Sequence, residues 1–378
     1  MLAPAYFAAM WKGDPLAEAF VEDALVLGKG RAMRMLRTAC REGIGAVEDA
    51  PASLVALFAE LDAVPDWVDL AAIDDACRYV GRYTRQGGIV LAAASLVSGY
   101  ANSAAMRPLQ LTGRFLDSAG VRTIEVASWL VEASATGGLQ RDAKGFELTV
   151  RVRIIHALVR RALRDDPRWD ERAWGVPICQ AYLAYTLVEF CLIPLRGMAA
   201  IGAAFLPEEV DGYYARWRYL GHLLGIEPAL LAADEQEQRA LEELYLMTRP
   251  EVDDYCRDLV AAINRDFLVL EIEQLLVPWL HPLAPRVVHA LERLFLGDGI
   301  ADELRIPPTR LTGVLRALGP VLAVGNRLVD LVPGTLPLRT AQGDRYRIRQ
   351  DARLRARYSV SHDLVDAAPE GTPHPARS

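Results

Sequence analysis

The sequence predicts an all-α protein folded as a single large helical domain, and three observations predict it. Apolar residues recur at helical spacing through most of the 378 residues. The interruptions fall at glycine and proline, where helices end. No Pro/Gly/Ser-rich linker divides the chain into halves. Taken in order, Ser53 to Leu61, Arg122 to Ala133, Leu148 to Arg164, Ile178 to Ala204 and Arg310 to Leu331 each carry the helical period. Breaks are expected at Pro65, Gly87-Gly88, Gly137-Gly138, Pro167, Gly175-Val176-Pro177, Pro207, Pro228, Pro250 and Pro307-Pro308. Roughly a dozen or more helices result. Only Arg345-Tyr346-Arg347-Ile348-Arg349 alternates like a strand. Gln86 to Met106 is free of charge and long enough to cross a bilayer. Its Gly, Ala and Ser add little transfer energy, so it reads as a tightly packed core helix. The domain is expected over residues 1–361, with residues 362–378 a polar, proline-containing, disordered tail.

Charge removes one class of partner. Forty-nine acidic residues exceed 42 basic ones, for a net charge of −7, against a general nucleic-acid binder. Only Lys12, Lys29 and Lys144 are lysines, so nearly every positive charge is an arginine. A GC-rich genome explains that bias, or some arginines are placed to grip acidic groups. Met1 to Gly13 lacks the features of a signal peptide. Cys40, Cys77, Cys179, Cys191 and Cys256 are scattered without a C-x-x-C pair, which leaves disulfide frameworks, zinc ribbons and covalent haem unsupported. A cytoplasmic protein with reduced thiols is expected.

Several catalytic patterns are missing. No serine lies in G-x-S-x-G, and Gly28-Lys29-Gly30 lacks a third glycine. None of the six histidines follows a Glu by three residues, and no two lie at i, i+4. His222 reads as a packed helix-face residue, Trp129 as core filler, and His281 and His289 receive no role.

One segment remains. In Thr149 to Arg161, Arg153 and Arg160 lie three before and four after His156, so the three share one helical stripe. Ile154 and Leu158 occupy the opposite side, as on an internal helix. Burying a histidine between two arginines is costly unless an anion neutralises them. Internal Asp or Glu partners meet that need. So does a dianionic ligand such as haem, with imidazole on the iron and arginines on the propionates.

The segment resembles the haem helix of the MpaB-like oxygenases, the family of the rubber oxygenases. Their R-x-x-H-x-x-x-R pattern stands here as Arg153, His156 and Arg160. The rubber oxygenases also carry R-x-x-K-T thirty residues upstream. Here Arg122 matches, while Glu125 and Val126 occupy the lysine and threonine positions. Similarity continues through Trp174 to Gln180 and on to Thr186, at Trp217 to Gly225, and from Leu296-Gly297-Asp298 to Pro307, spanning about residues 30 to 330.

The resemblance implies an all-α fold with a globin-like core around a non-covalent haem b, using O2 against carbon–carbon double bonds. It implies that His156 binds the iron and that Arg153 and Arg160 hold propionates or orient the helix. Arg122 and Glu125 would line the distal pocket, with Val126 making it drier. Glu125 then brings a negative charge, or a proton if burial raises its pKa, and with it general acid or base chemistry. The expected substrate is a small apolar molecule rather than rubber. Any membrane contact is expected to be peripheral, and the oligomeric state is left open. Two other readings stand beside this one. Asp165-Asp166-Pro167-Arg168-Trp169-Asp170 matches the D-D-x-x-x-D of Mg2+- and diphosphate-using terpene synthases, although Pro167 breaks the helix such a site needs. A haem-binding protein without catalysis is the other. Finally, Arg345, Arg347, Arg349, Arg353, Arg355 and Arg357 form a basic cluster, expected to pack on the acidic body of its own chain, or else to touch an anionic membrane surface or nucleic acid.

Overall fold

The computed structural model describes residues 2–112 and 119–357, with all their side chains except those of residues 119–123 and 125. Every regular element among them is helical. Nine helices position the site and are labelled in chain order. α1 (Pro15–Leu27) starts where Asp14 accepts a hydrogen bond from the Ala17 amide, with Pro15 in the first turn. α2 is Ala52–Asp62.

α3 (Ala119–Ala133) and α4 (Lys144–Arg164) form an antiparallel pair closed by a tight connection. Gly137 turns the chain with φ at +73°. A Cβ on Gly145 would lie 2.4 Å from the Gly138 carbonyl and 2.6 Å from that of Glu132. Only glycine lets α4 begin so close to the end of α3.

α5 (Gln180–Phe190) stops at Cys191, and Leu192–Ala200 continues beyond it. The expected continuous helix over Ile178 to Ala204 is therefore two, because the Cys191 backbone departs to φ −119° and ψ −75°. α6 (Pro207–Leu223) starts on proline, and α7 (Ala284–Glu303) is interrupted at Gly297, whose φ is +78°. α8 (Leu311–Asp330) and α9 (Thr335–Arg357) are the last helices of the described residues.

Two expectations fail for tertiary reasons. Gly87-Gly88 does not break a helix; the chain runs helically from Thr84 to Tyr100, with a π-turn at Leu91–Ser95. Gly88 is exposed and Gly87 half-buried, but Val90 and Ala92 to Ser95 just beyond them are buried, and the packing of that stretch carries the helix through both glycines. Arg345 to Arg349 is not a strand but the middle of α9, where Arg347 reaches the Val131 carbonyl at 2.9 Å. The Gln86 to Met106 run is an internal helix, bent by 95° before Ser103–Thr112. Among the described residues, Gln180–Ala200, taken across the interruption at Cys191, is apolar and long enough to cross a membrane, and it is mostly buried in the fold. One apolar core surrounds α4, α5 and α6. A second joins residues 92–101, α7 and a second π-turn, Asn264–Leu268.

Candidate functional site

α4 carries the stripe predicted from its spacing, and the two arginines on it are deeply buried, Arg153 at 2% and Arg160 at 1% exposure. Arg153 donates through Nε to Asp14 Oδ2 at 2.6 Å and through Nη2 to Asp14 Oδ1 at 3.0 Å. Its Nη1 pairs with Glu60 of α2 at 2.7 Å. Arg160 pairs with Glu18 of α1 at 2.7 Å and donates to the Ile178 carbonyl at 2.9 Å. Burial works against both charges. At Arg153 the hydrogen bonds and charge of Asp14 outweigh burial and raise the pKa; at Arg160 burial prevails and lowers it.

The guanidinium groups of both arginines are engaged by carboxylates of the protein. The physical reason is the one that made them conspicuous: a buried guanidinium requires an anion, and α1 and α2 provide it.

The short matching motifs assemble around this ion pair. Gln180 donates to the carbonyls of Gly13 and Gly225 at 2.9 and 2.8 Å and accepts from the Glu227 amide at 3.0 Å. Gly225, with φ +76°, passes so close that a Cβ there would lie 2.4 Å from Arg153 Nε. The half-buried His156 sits between the two clamps. His222 is also half-buried and stacks on Tyr219 with ring centres 6.0 Å apart; burial lowers its pKa.

The other side of α4 meets α3. Trp129 donates to Thr149 Oγ1 at 3.0 Å and packs edge-on against Phe190 and Trp217, which makes it core, as expected. Because the two helices are antiparallel, moving two turns along each from that contact brings position 122 level with position 156. Arg122 and Glu125 thus lie on the helix facing α4, while their side chains fall outside the described residues. Val126 is half-buried and contributes to a cavity of about 380 Å3.

That cavity lies between α3, the Thr84–Tyr100 helix, the second π-turn and α9. Its apolar walls include Val126, Leu130, Phe190, Tyr213, Phe267 and Leu354, and His156 is not among them. Arg216 and Arg347 stand at the C-terminal end of α3, donating to the carbonyls of Ser134 at 2.5 Å and Val131 at 2.9 Å. Such carbonyls lack partners within their own helix. Arg216 also holds Asp74 at 2.8 Å. The Nε of each arginine and the Thr340 hydroxyl line the same cavity, buried and without a hydrogen-bond partner among the described residues.

A family model described as "ER-bound oxygenase mpaB/B'/Rubber oxygenase, catalytic domain" matches residues 81–324, well over half of the chain. The chain belongs to this family. It is 26% identical over 106 residues to the rubber oxygenase of Streptomyces sp. (strain K30), a match that spans 26% of this chain and only 26% of that protein. Among solved structures, latex clearing protein LCP in the closed state superposes with a TM-score of 0.59 at 18% identity, covering 90% of this chain and 91% of that one. That likeness is one of fold.

Within the mpaB/rubber oxygenase family frame, the residues can be tested against haem. Among the described residues no three His, Cys, Asp or Glu side chains gather to hold a bare metal ion. One imidazole on a rigidly clamped helix instead suits an iron that arrives with its ring nitrogens already bound. The cavity described above is not lined by His156, and Arg153 and Arg160 are already paired with Asp14, Glu60 and Glu18.

The D-D-x-x-x-D match disperses. Asp165 pairs with Arg161 at 3.2 Å, Asp166 with Arg168 at 2.6 Å, and Asp170 caps Glu171–Trp174. The basic cluster of α9 packs largely on its own chain, with Arg353 on Glu271 at 2.5 Å and Arg355 on Asp351 at 3.1 Å. Sequence reasoning missed Asp14, Glu18 and Glu60, although Asp14-Pro15 carries the signature of a helix start. It also missed α9 as a cavity wall, since its arginines drew attention to its charge.

Proposed function

We propose that this protein is a haem b-dependent oxygenase acting with O2 on a small apolar substrate, with His156 as the ligand to the iron. Family membership supports the oxygenase class. The observation that carries the residue assignment is the double clamp on α4, which fixes His156 between two buried ion pairs and faces its helix with the one bearing Arg122, Glu125 and Val126. When bound, haem would supply the activation of O2.

The chain's own residues set the surroundings. Asp14, Glu60 and Glu18 hold α4 in rotation and height through Arg153 and Arg160, so that the imidazole is presented in one orientation. Glu125 is assigned the exchange of a proton with the substrate, Arg122 a compensating charge beside it, and Val126 the exclusion of water. The cavity beside Val126 takes the substrate. Its apolar walls suit a hydrocarbon body, and the unpartnered donors of Arg216, Arg347 and Thr340 suit an oxygen acceptor at one end.

The test is spectroscopic. Protein produced with haem precursor is expected to show a Soret band and stoichiometric iron, and His156→Ala is expected to lose both while keeping its helical far-UV spectrum. Full haem retention in the folded variant would show that another residue binds the iron.

A further inference from the structure

α8 is built inside out. Two of its polar side chains face the protein: Asn326 donates to the Gly202 carbonyl at 2.7 Å, and Asp330 pairs with Arg82 at 3.1 Å. Thr312 and Gly319 are its only buried residues. Gly319 lies so tightly on the preceding structure that a Cβ there would stand 2.1 Å from the Ala200 carbonyl. Leu315 packs on the second apolar core, while most of the other valines and leucines face outward. Val321 is 66% exposed, Val324 61% and Leu328 61%, with Val314, Leu318 and Leu322 alongside them, and the apolar run continues past the helix to Leu331 and Val332. A soluble helix normally shows the reverse pattern. A contiguous exposed apolar surface of this extent marks an interaction site.

We propose that α8 is the surface by which this protein lies on an anionic lipid bilayer. Two features select lipid over a second copy of the chain. The exposed apolar positions wrap most of the outward circumference, whereas a partner helix fills a seam of about two positions in seven. The charges exposed among them are Arg316 and Arg327, and the helix's one acid, Asp330, is turned inward to Arg82 and Arg339. Antiparallel pairing of two α8 helices would set Arg316 against its partner's Arg327, like against like, with no acid on that face to compensate. Anionic headgroups complement both arginines, whose long stems lie along the apolar surface while their heads reach the headgroup layer. The helix then rests in the plane of the interface without crossing it. This inference stands on exposure and charge alone and does not depend on the haem assignment.

The test uses the full chain with sedimentation on two sets of vesicles, phosphatidylcholine alone and phosphatidylcholine mixed with phosphatidylserine. Wild type is expected to bind the mixed vesicles more tightly. Removing each arginine (Arg316→Ala, Arg327→Ala) should weaken that binding about fivefold and diminish the preference for phosphatidylserine. The double variant Val321→Glu, Leu328→Glu should lose vesicle binding at least tenfold. Both sites are solvent-exposed, so unchanged far-UV spectra and thermal midpoints are expected to exclude unfolding as the cause. Light scattering after gel filtration provides the second arm. If wild type shows no vesicle binding, or if the folded double variant still binds as wild type does, the proposal is overturned. A wild-type dimer that ignores vesicles and becomes monomeric in the double variant would assign the face to a second copy instead.

Discussion

Glu292 on α7 is fully buried, and burial pushes its carboxyl up to about 8, with a contact to Asn264 pulling the other way. In the folded protein it therefore holds a proton that the unfolded chain releases near 4.5. The sign follows from linkage: between about pH 4.5 and pH 8 the folded state binds more protons, so stability falls as pH rises through that window. Glu189 on α5, pushed up to about 8 by burial as well, adds a slope of the same sign. Glu292→Gln removes the penalty at one site. Denaturant titrations should find the variant close to wild type near pH 4.5 and more stable than wild type near pH 8, by an amount on the order of a few kcal/mol. A gap that does not change with pH would mean that Glu292 is not held protonated. At this scale the sequence was legible where residues share a helix. Arg153, His156 and Arg160 declared themselves by spacing, and a buried guanidinium's need for an anion followed. Which anion did not: Asp14 lies 139 residues from Arg153, and no local pattern reports a contact that distant.

The α3–α4 connection is the element on which the site's geometry depends. Gly145 faces backbone on three sides, namely the carbonyls of Gly138 and Glu132 and the Cα of Ala133, so no side chain can yield to an added methyl group. Gly145→Ala is expected to cost roughly 1–3 kcal/mol, as overpacking against rigid neighbours does. Because the strain falls between α3 and α4, the haem assignment proposed above predicts a shifted Soret band as well. Thermal melts and the Soret maximum measure the two effects together; a variant with wild-type values for both would show the helices free to separate without consequence. Helix periodicity and the Gly137-Gly138 turn made this hairpin readable beforehand. The same logic misplaced a break at Gly87-Gly88, where the buried stretch that follows overrides propensity, and read period-two arginines in α9 as a strand. It could not foresee the interruption at Cys191, because nothing about a cysteine in an apolar run signals one.

At the scale of the molecule, the clamp on α4 joins parts of the chain that are far apart in sequence. Asp14 belongs to the start of α1, yet it neutralises a charge in the centre of the fold. Asp14→Asn leaves Arg153 with Glu60 alone, and Glu60 is partly open to solvent. Loss of one partner from a buried pair costs about 3–5 kcal/mol. Unfolding midpoints should register that loss, and replacing both residues with apolar ones (Asp14→Leu, Arg153→Met) should recover much of it. If Asp14→Asn is as stable as wild type, the pair is not what holds α4. The all-α class and single-domain organisation were legible at this scale, since both are carried by periodicity and punctuation. The enclosing role of α9 was not, because it depends on which face of a distant helix turns inward.

The family match begins at residue 81, while the acids that neutralise Arg153 and Arg160 all precede it. The segment matched by the family model and the segment that must fold together are thus different lengths of chain. The first sixty or so residues behave as an internal counter-ion for the histidine helix. A change at Asp14, Glu18 or Glu60 is in effect a change at the site, though none of the three stands within the segment by which the site is recognised.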